Sequence, residues 1–235
     1  MSAAGAAAGG WVVDTRRGAV EELHHLPDPD VAVRTVRILW PADTAIVLGS
    51  SQDPGVLVPD PPAPVVRRRS GGGLVLVEAG AVTWVDLLVP RHDPLWDDDV
   101  VRAAAWVGEV WRDALAAAHR WSPVGSGPPP GALRVHAGRL EPGPFGQLVC
   151  FAGIGPGEVV RDGRKLVGVS QRRDRHWIRV QTLVHHRFDA GAVADLVDLD
   201  TDRRRHLTAA LGDGVGVVES DPEHLVAALL ARLGV

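Results

Sequence analysis

Residues 64–90, PVVRRRSGGGLVLVEAGAVTWVDLLVP, set three arginines against three glycines and then run into apolar sequence. Val75 and Val77 fall on one face of an extended segment and Leu74 and Leu76 on the other, so this strand is expected to be covered on both sides. Consecutive glycines let backbone approach a ligand with no Cβ in the way, and can turn successive N–H groups toward an anion. The adjoining arginines bring fixed charge and forked donors suited to a carboxylate or phosphate. The stretch lacks the Gly-Lys-Ser/Thr ending of a P-loop and the dinucleotide fingerprint. It reads either as a seat for an acidic small molecule or as a flexible hairpin tip.

Upstream, residues 33–50 (VRTVRILWPADTAIVLGS) read as two β segments split by the turn Pro41-Ala42-Asp43, and Pro59 to Pro64 as a proline-rich loop. Downstream, Asp97, Asp98 and Asp99 sit where acidic residues favour the positive end of a helix. Ala103, Val107, Val110, Trp111, Ala114 and Ala118 then recur at three and four, an apolar stripe made for a sheet, with Trp106 and Trp111 as core anchors. After the breaker SPVGSGPPPGAL, the runs LVCFAG, GEVV, RKLVGVSQRR and WIRVQTLVHHRF read as short antiparallel strands. Two or three helices close the chain, the last capped by Asp221 and opened by Pro222. Strands and helices partly segregate. The expectation is an α+β fold, a mixed sheet with helices on one side and room for a second small sheet. Residues 1–10 are expected to be disordered and residues 11–235 to form a single domain.

Composition narrows the function. With 29 acidic against 25 basic side chains the formal charge is -4, which argues against a general nucleic-acid partner. One cysteine rules out an intramolecular disulfide. The opening MSAAGAAAGGWVV lacks the basic and apolar regions of a secretory signal, and no apolar run is long enough to span a bilayer, so a cytoplasmic location with no membrane partner is expected. The pairs His24-His25 and His185-His186 lack the i,i+4 spacing of helix-borne ligands, and no metal site is expected.

Two residues stand apart. Lys165 is the only lysine beside 24 arginines, which suggests a position needing a compact ammonium. The two-residue turn Asp162-Gly163 should pair Glu158 to Arg161 with Arg164 to Arg173 as a hairpin, placing Lys165 early in a strand. Cys150, the sole cysteine, reads either as a small buried hydrophobe or as a nucleophile whose thiolate a neighbouring cation, Lys165 among the candidates, would stabilise.

Taken in order, ILWPADTAIVLGSSQDP, RRRSGGG with Val75 and Gly80 after it, and GRKLVGVSQRR resemble the lipoate-protein ligase family, within the group that includes biotin-protein ligases and lipoyl or octanoyl transferases. The resemblance covers roughly residues 33 to 200. It implies a mixed sheet like the catalytic domain of class II aminoacyl-tRNA synthetases. It further implies that Arg68, Ser70, Gly71, Gly72 and Gly73 lie along an acyl-adenylate with Glu78 and Gly168, and that Lys165 binds the reacting carboxylate and phosphate. ATP with Mg²⁺ would be co-substrate, and the acyl group, lipoate or octanoate, would pass to a lysine of a lipoyl-acceptor domain.

The chain also departs from that pattern. CFAGIGPGE stands where ligases carry an Asn-Asp pair associated with Mg²⁺ and phosphates; Gln181-Thr182 replaces a His-Gly pair, and Ala81 an asparagine. Cys150-Phe151 ahead of Gly163-Arg164-Lys165 matches the octanoyl-transferring branch, in which a cysteine carries the acyl group as a thioester and no ATP is used. The leading reading is an adenylate-forming ligase, and two alternatives stay open: a Cys150 transferase, and a non-catalytic relative that binds an acyl ligand or carrier.

Overall fold

The computed structural model describes residues 10–118 and 131–235, so residues 1–9 and most of the SPVGSGPPPGAL breaker lie outside it. The chain begins with β1 (Trp11–Gly18), a short helix α1 (Val20–His25) and β2 (Arg34–Pro41). After the Pro41-Ala42-Asp43 turn comes β3 (Ala45–Leu48), then β4 (Val65–Arg67), β5 (Val75–Val77) and β6 (Val82–Pro90). Helix α2 (Val100–Ala118) follows, started by Asp99, whose carboxylate accepts from the N–H groups of Val101 and Arg102 at 2.8 and 3.1 Å. The second half holds β7 (Arg134–Val135), β8 (Val159–Arg161), β9 (Arg164–Arg173), β10 (Trp177–His185), α3 (Ala190–Asp195), α4 (Thr201–Gly214) and α5 (Pro222–Leu233).

Seven strands form one mixed sheet in the order β1-β2-β6-β10-β9-β8-β7, with β1 parallel to β2 and every other pair antiparallel. The remaining three make a small sheet, β4-β3-β5. The two β segments of residues 33–50 therefore part company at Pro41, one in each sheet. β6 is buried along its whole length, and its alternation shows why. Val82 and Trp84 join the core beneath the small sheet, whereas Val85, Leu87 and Val89 join the core under α2 and α5.

Helices were expected on one side only, and this is corrected. α2 and α5 cover one face, but α1, α3 and α4 share the other with the small sheet. Three short strands are too narrow to shield that face, and Val20, Leu23, Val193, Leu207 and Leu211 complete the cover. LVCFAG is a second correction. Cys150–Ala152 is a single 3₁₀ turn, and only Val149 makes a bridge, to Leu74. The hairpin about Asp162-Gly163 forms as expected, with φ of 52° and 78° at the turn. Among the described residues no helix is long and apolar enough to cross a membrane.

Candidate active site

Two of the three arginines at the end of β4, Arg67 and Arg68, are turned on the protein itself. Arg67 Nη1 donates to the carbonyls of Gly49, Ser50 and Gln52 at 2.8, 3.1 and 2.8 Å. Arg68 is buried, and its Nη2 donates to Gly71 O at 2.8 Å and Gly73 O at 2.9 Å. The guanidinium thus shapes the glycine run. Gly72 has φ of 103°, a conformation side chains avoid. A Cβ on Gly73 would lie 2.8 to 2.9 Å from backbone atoms of Leu148, Val149 and Cys150. Bare backbone there lets the loop lie on residues 148–150, fastened by Leu74 N–H to Leu148 O at 2.8 Å and Cys150 N–H to Leu74 O at 2.9 Å.

A pocket of about 430 Å³, mouth included, opens between the small sheet and the main sheet. Val47, Val75, Val77, Trp84, Phe151 and Leu183 give it apolar walls. Arg68, Cys150, Ser170, Gln181, Thr182 and His24 supply its polar atoms, and Gly168 its floor beside Phe151, where a Cβ would stand 2.7 Å from the ring. Ser70 is buried beside this wall. Its Oγ donates to Gln181 Oε1 at 3.0 Å and lies 3.0 Å from Ser170 Oγ. The Cys150 thiol meets the loop: the position a Cβ would take on Gly72 is 3.6 Å from Sγ and 2.8 Å from Arg68 Nη2. Gly71 is exposed, with nothing within 4 Å of where its Cβ would be, and half-buried Glu78 is not part of the pocket wall.

Lys165 stands early in β9 beside Cys150, as expected, with its ammonium turned inward. Its ammonium is 1% exposed and donates to the carbonyls of Cys150 and Gly153, both at 2.7 Å, and to both Glu158 carboxylate oxygens, at 2.9 and 3.1 Å. It also stands 4.6 Å from the centroid of the Phe151 ring. Glu158 is equally buried and further accepts from Gly155 N–H at 2.7 Å and Val169 N–H at 3.1 Å. The pair is closed upon itself behind Phe151, and Lys165 reaches Cys150 through its carbonyl.

Three features of the site were missed in the sequence. His24, at the end of α1, packs 4.3 Å from Trp84, and burial, reinforced by Arg68 and Arg179, lowers its pKa to about 3. Arg179 and Asp86 form a buried ion pair, 2.7 Å from Nε to Oδ2, and Asp86 also accepts from Trp84 Nε1 at 2.8 Å. Arg179 reaches on to the Leu23 carbonyl at 3.3 Å and so holds the end of α1. His185 lies between Phe151 and Phe188, where burial, with Lys165 nearby, again lowers the pKa to about 3. A histidine on a half-polar six-residue helix carries no periodic signal, and a cross-sheet ion pair none at all.

A mixed sheet with a glycine loop folded over a largely apolar pocket is the arrangement of a catalytic domain of the biotin and lipoate ligase superfamily. The chain belongs to the lipoyl protein ligase A/B catalytic domain family, whose family model matches residues 20–220. No curated protein matches it. Among solved structures, it is similar to the bipartite lipoate protein ligase of Thermoplasma acidophilum, studied with its E2 lipoyl domain, at 13% identity and a TM-score of 0.61 over 85% of this chain and 69% of that one. The LipL1 of P. falciparum in complex with lipoate is similar at 9% identity and a TM-score of 0.60, over 95% of this chain and 61% of that one. A lipoate-protein ligase A bound with ATP gives 11% identity and a TM-score of 0.51, covering 95% and 93%.

Proposed function

We propose that this enzyme moves a lipoyl or related medium-chain acyl group onto a lysine of an acyl-carrier domain, and that Cys150 holds the group in transit. One observation carries the route: of the two candidate catalytic side chains, Cys150 lines the pocket against the glycine loop, while Lys165 is closed on Glu158. Apolar walls ending in polar groups suit an acid whose chain is buried and whose carboxyl carbon stays near Cys150. The Cys150 thiolate adds to the thioester carbonyl of the incoming acyl group, and collapse expels the donor thiolate, which takes up a proton. The acceptor amine then attacks the Cys150 thioester, the C–S bond breaks as the amide forms, and the proton lost by the amine passes to the leaving sulfur. Lys165 fixes the turn bearing Cys150 through the carbonyls of residues 150 and 153.

The fit to Mg²⁺ is poor. Glu158, the carboxylate just ahead of the hairpin, already accepts from Lys165, Gly155 and Val169 and has little capacity left for a cation. A second reading, activation by ATP to an acyl-adenylate, is supported by the unbroken Gly71–Gly73 run and the open space beside Gly71, and by the similar ligase with bound ATP. Acceptor modification distinguishes the two. With an octanoyl-carrier protein as donor and no ATP, the wild type should octanoylate a lipoyl domain and Cys150→Ser should not. Octanoylation by Cys150→Ser from free octanoate and ATP establishes the adenylate route instead.

A further inference from the structure

We infer that Gln181 is a catalytic residue whose side-chain amide receives the oxyanion formed when Cys150 is acylated and deacylated, an inference that rests on the thioester reading above. Gln181 stands in the interior of the sheet, paired on β10 between Asp86 of β6 and Ser170 of β9, so its backbone is held on both sides. It is 8% exposed and lines the pocket. Its Oε1 is taken by the Ser70 hydroxyl at 3.0 Å, which fixes the plane of the amide and which end faces away from the loop. The other end, Nε2, has two hydrogens that no acceptor among the described residues takes. Nε2 is not sealed from solvent, so in the free protein water can take the position that a ligand oxygen would occupy.

The reacting carbon is brought to the same place. Ser70 holds Gln181 while Gly72, two residues on, stands against Cys150 Sγ. Cys150 and Gln181 line the same pocket, which places thiol and amide around one bound acyl group. As sulfur adds to the carbonyl carbon, negative charge develops on the oxygen, and a donor already aimed there stabilises the transition state more than the ground state. The same donor serves the second step, when the acceptor amine adds to the Cys150 thioester.

The test is single-turnover acylation of Cys150 by octanoyl-carrier protein, followed by intact mass. Gln181→Met, which keeps the length and removes the donors, should lower the limiting acylation rate on the order of 10²-fold while moving the half-saturating donor concentration less than about threefold. Gln181→His, which restores a ring N–H, should recover part of the rate. A wild-type limiting rate in Gln181→Met overturns the assignment and leaves the thioester reading intact, as does a loss confined to half-saturation. No acylation of wild-type Cys150 overturns both. If Gln181→Met does not fold, Ser70→Ala, which frees the amide to turn, carries the test: a lowered limiting rate is expected, and an unchanged one overturns the assignment.

Discussion

The isolation of Lys165 in an arginine-rich chain marked it out, and the structure gives that isolation a physical sense. A buried ammonium with two carbonyls and a carboxylate around it is a compact point charge that a guanidinium could not replace. Its partner was not legible, because the register shift between Val159 and Val160 that accompanies the pairing leaves no mark in turn chemistry. Lys165→Met should destabilise the protein by about 3–5 kcal/mol in urea denaturation, since it strands the Glu158 carboxylate. Adding Glu158→Gln should recover most of that. The double variant separates fold stability from function: a stable but inactive protein gives the ammonium a part in the reaction or in holding the Cys150 turn, and a stable, active one removes both.

At the scale of elements, the strong local patterns carried the reading. The stripe of α2, the Asp162-Gly163 turn and the Asp221 cap, which accepts from His224 N–H at 3.0 Å, all depend on neighbours in sequence. LVCFAG failed because its apolar composition matches a strand while its partners are a loop and a lysine. Likewise the placement of α1, α3 and α4 follows from how little of the main sheet three short strands can cover, which no single segment states. The glycine loop is the element on which the site turns. Gly73→Ala should cost about 1–3 kcal/mol, because the new methyl meets backbone atoms of residues 148–150, and should lower acyl transfer by drawing the loop away from Cys150. Urea midpoints and transfer rates measured on the same preparation check both, and a stable variant with full activity removes the loop-to-Cys150 contact from the account.

For the whole molecule, two buried neutral histidines set an acid limit. The pKa values of His24 and His185 are each lowered from 6.5 to about 3, so the unfolded chain binds protons there that the folded one refuses. Their contribution is present above pH 6.5 and is lost as pH falls from there toward 3, at about 1.4 kcal/mol per pH unit for each histidine. The urea midpoint should fall between pH 7 and pH 5, and His185→Leu should roughly halve that fall; an unchanged dependence would place the acid sensitivity elsewhere. Intact-mass spectrometry of the purified protein after incubation with octanoyl-carrier protein reads the chemistry of the pocket that both sheets build. The wild type should carry one octanoyl group, removed by hydroxylamine and missing from Cys150→Ser. An unmodified wild type that instead releases octanoyl-adenylate after incubation with octanoate, ATP and Mg²⁺ would contradict it.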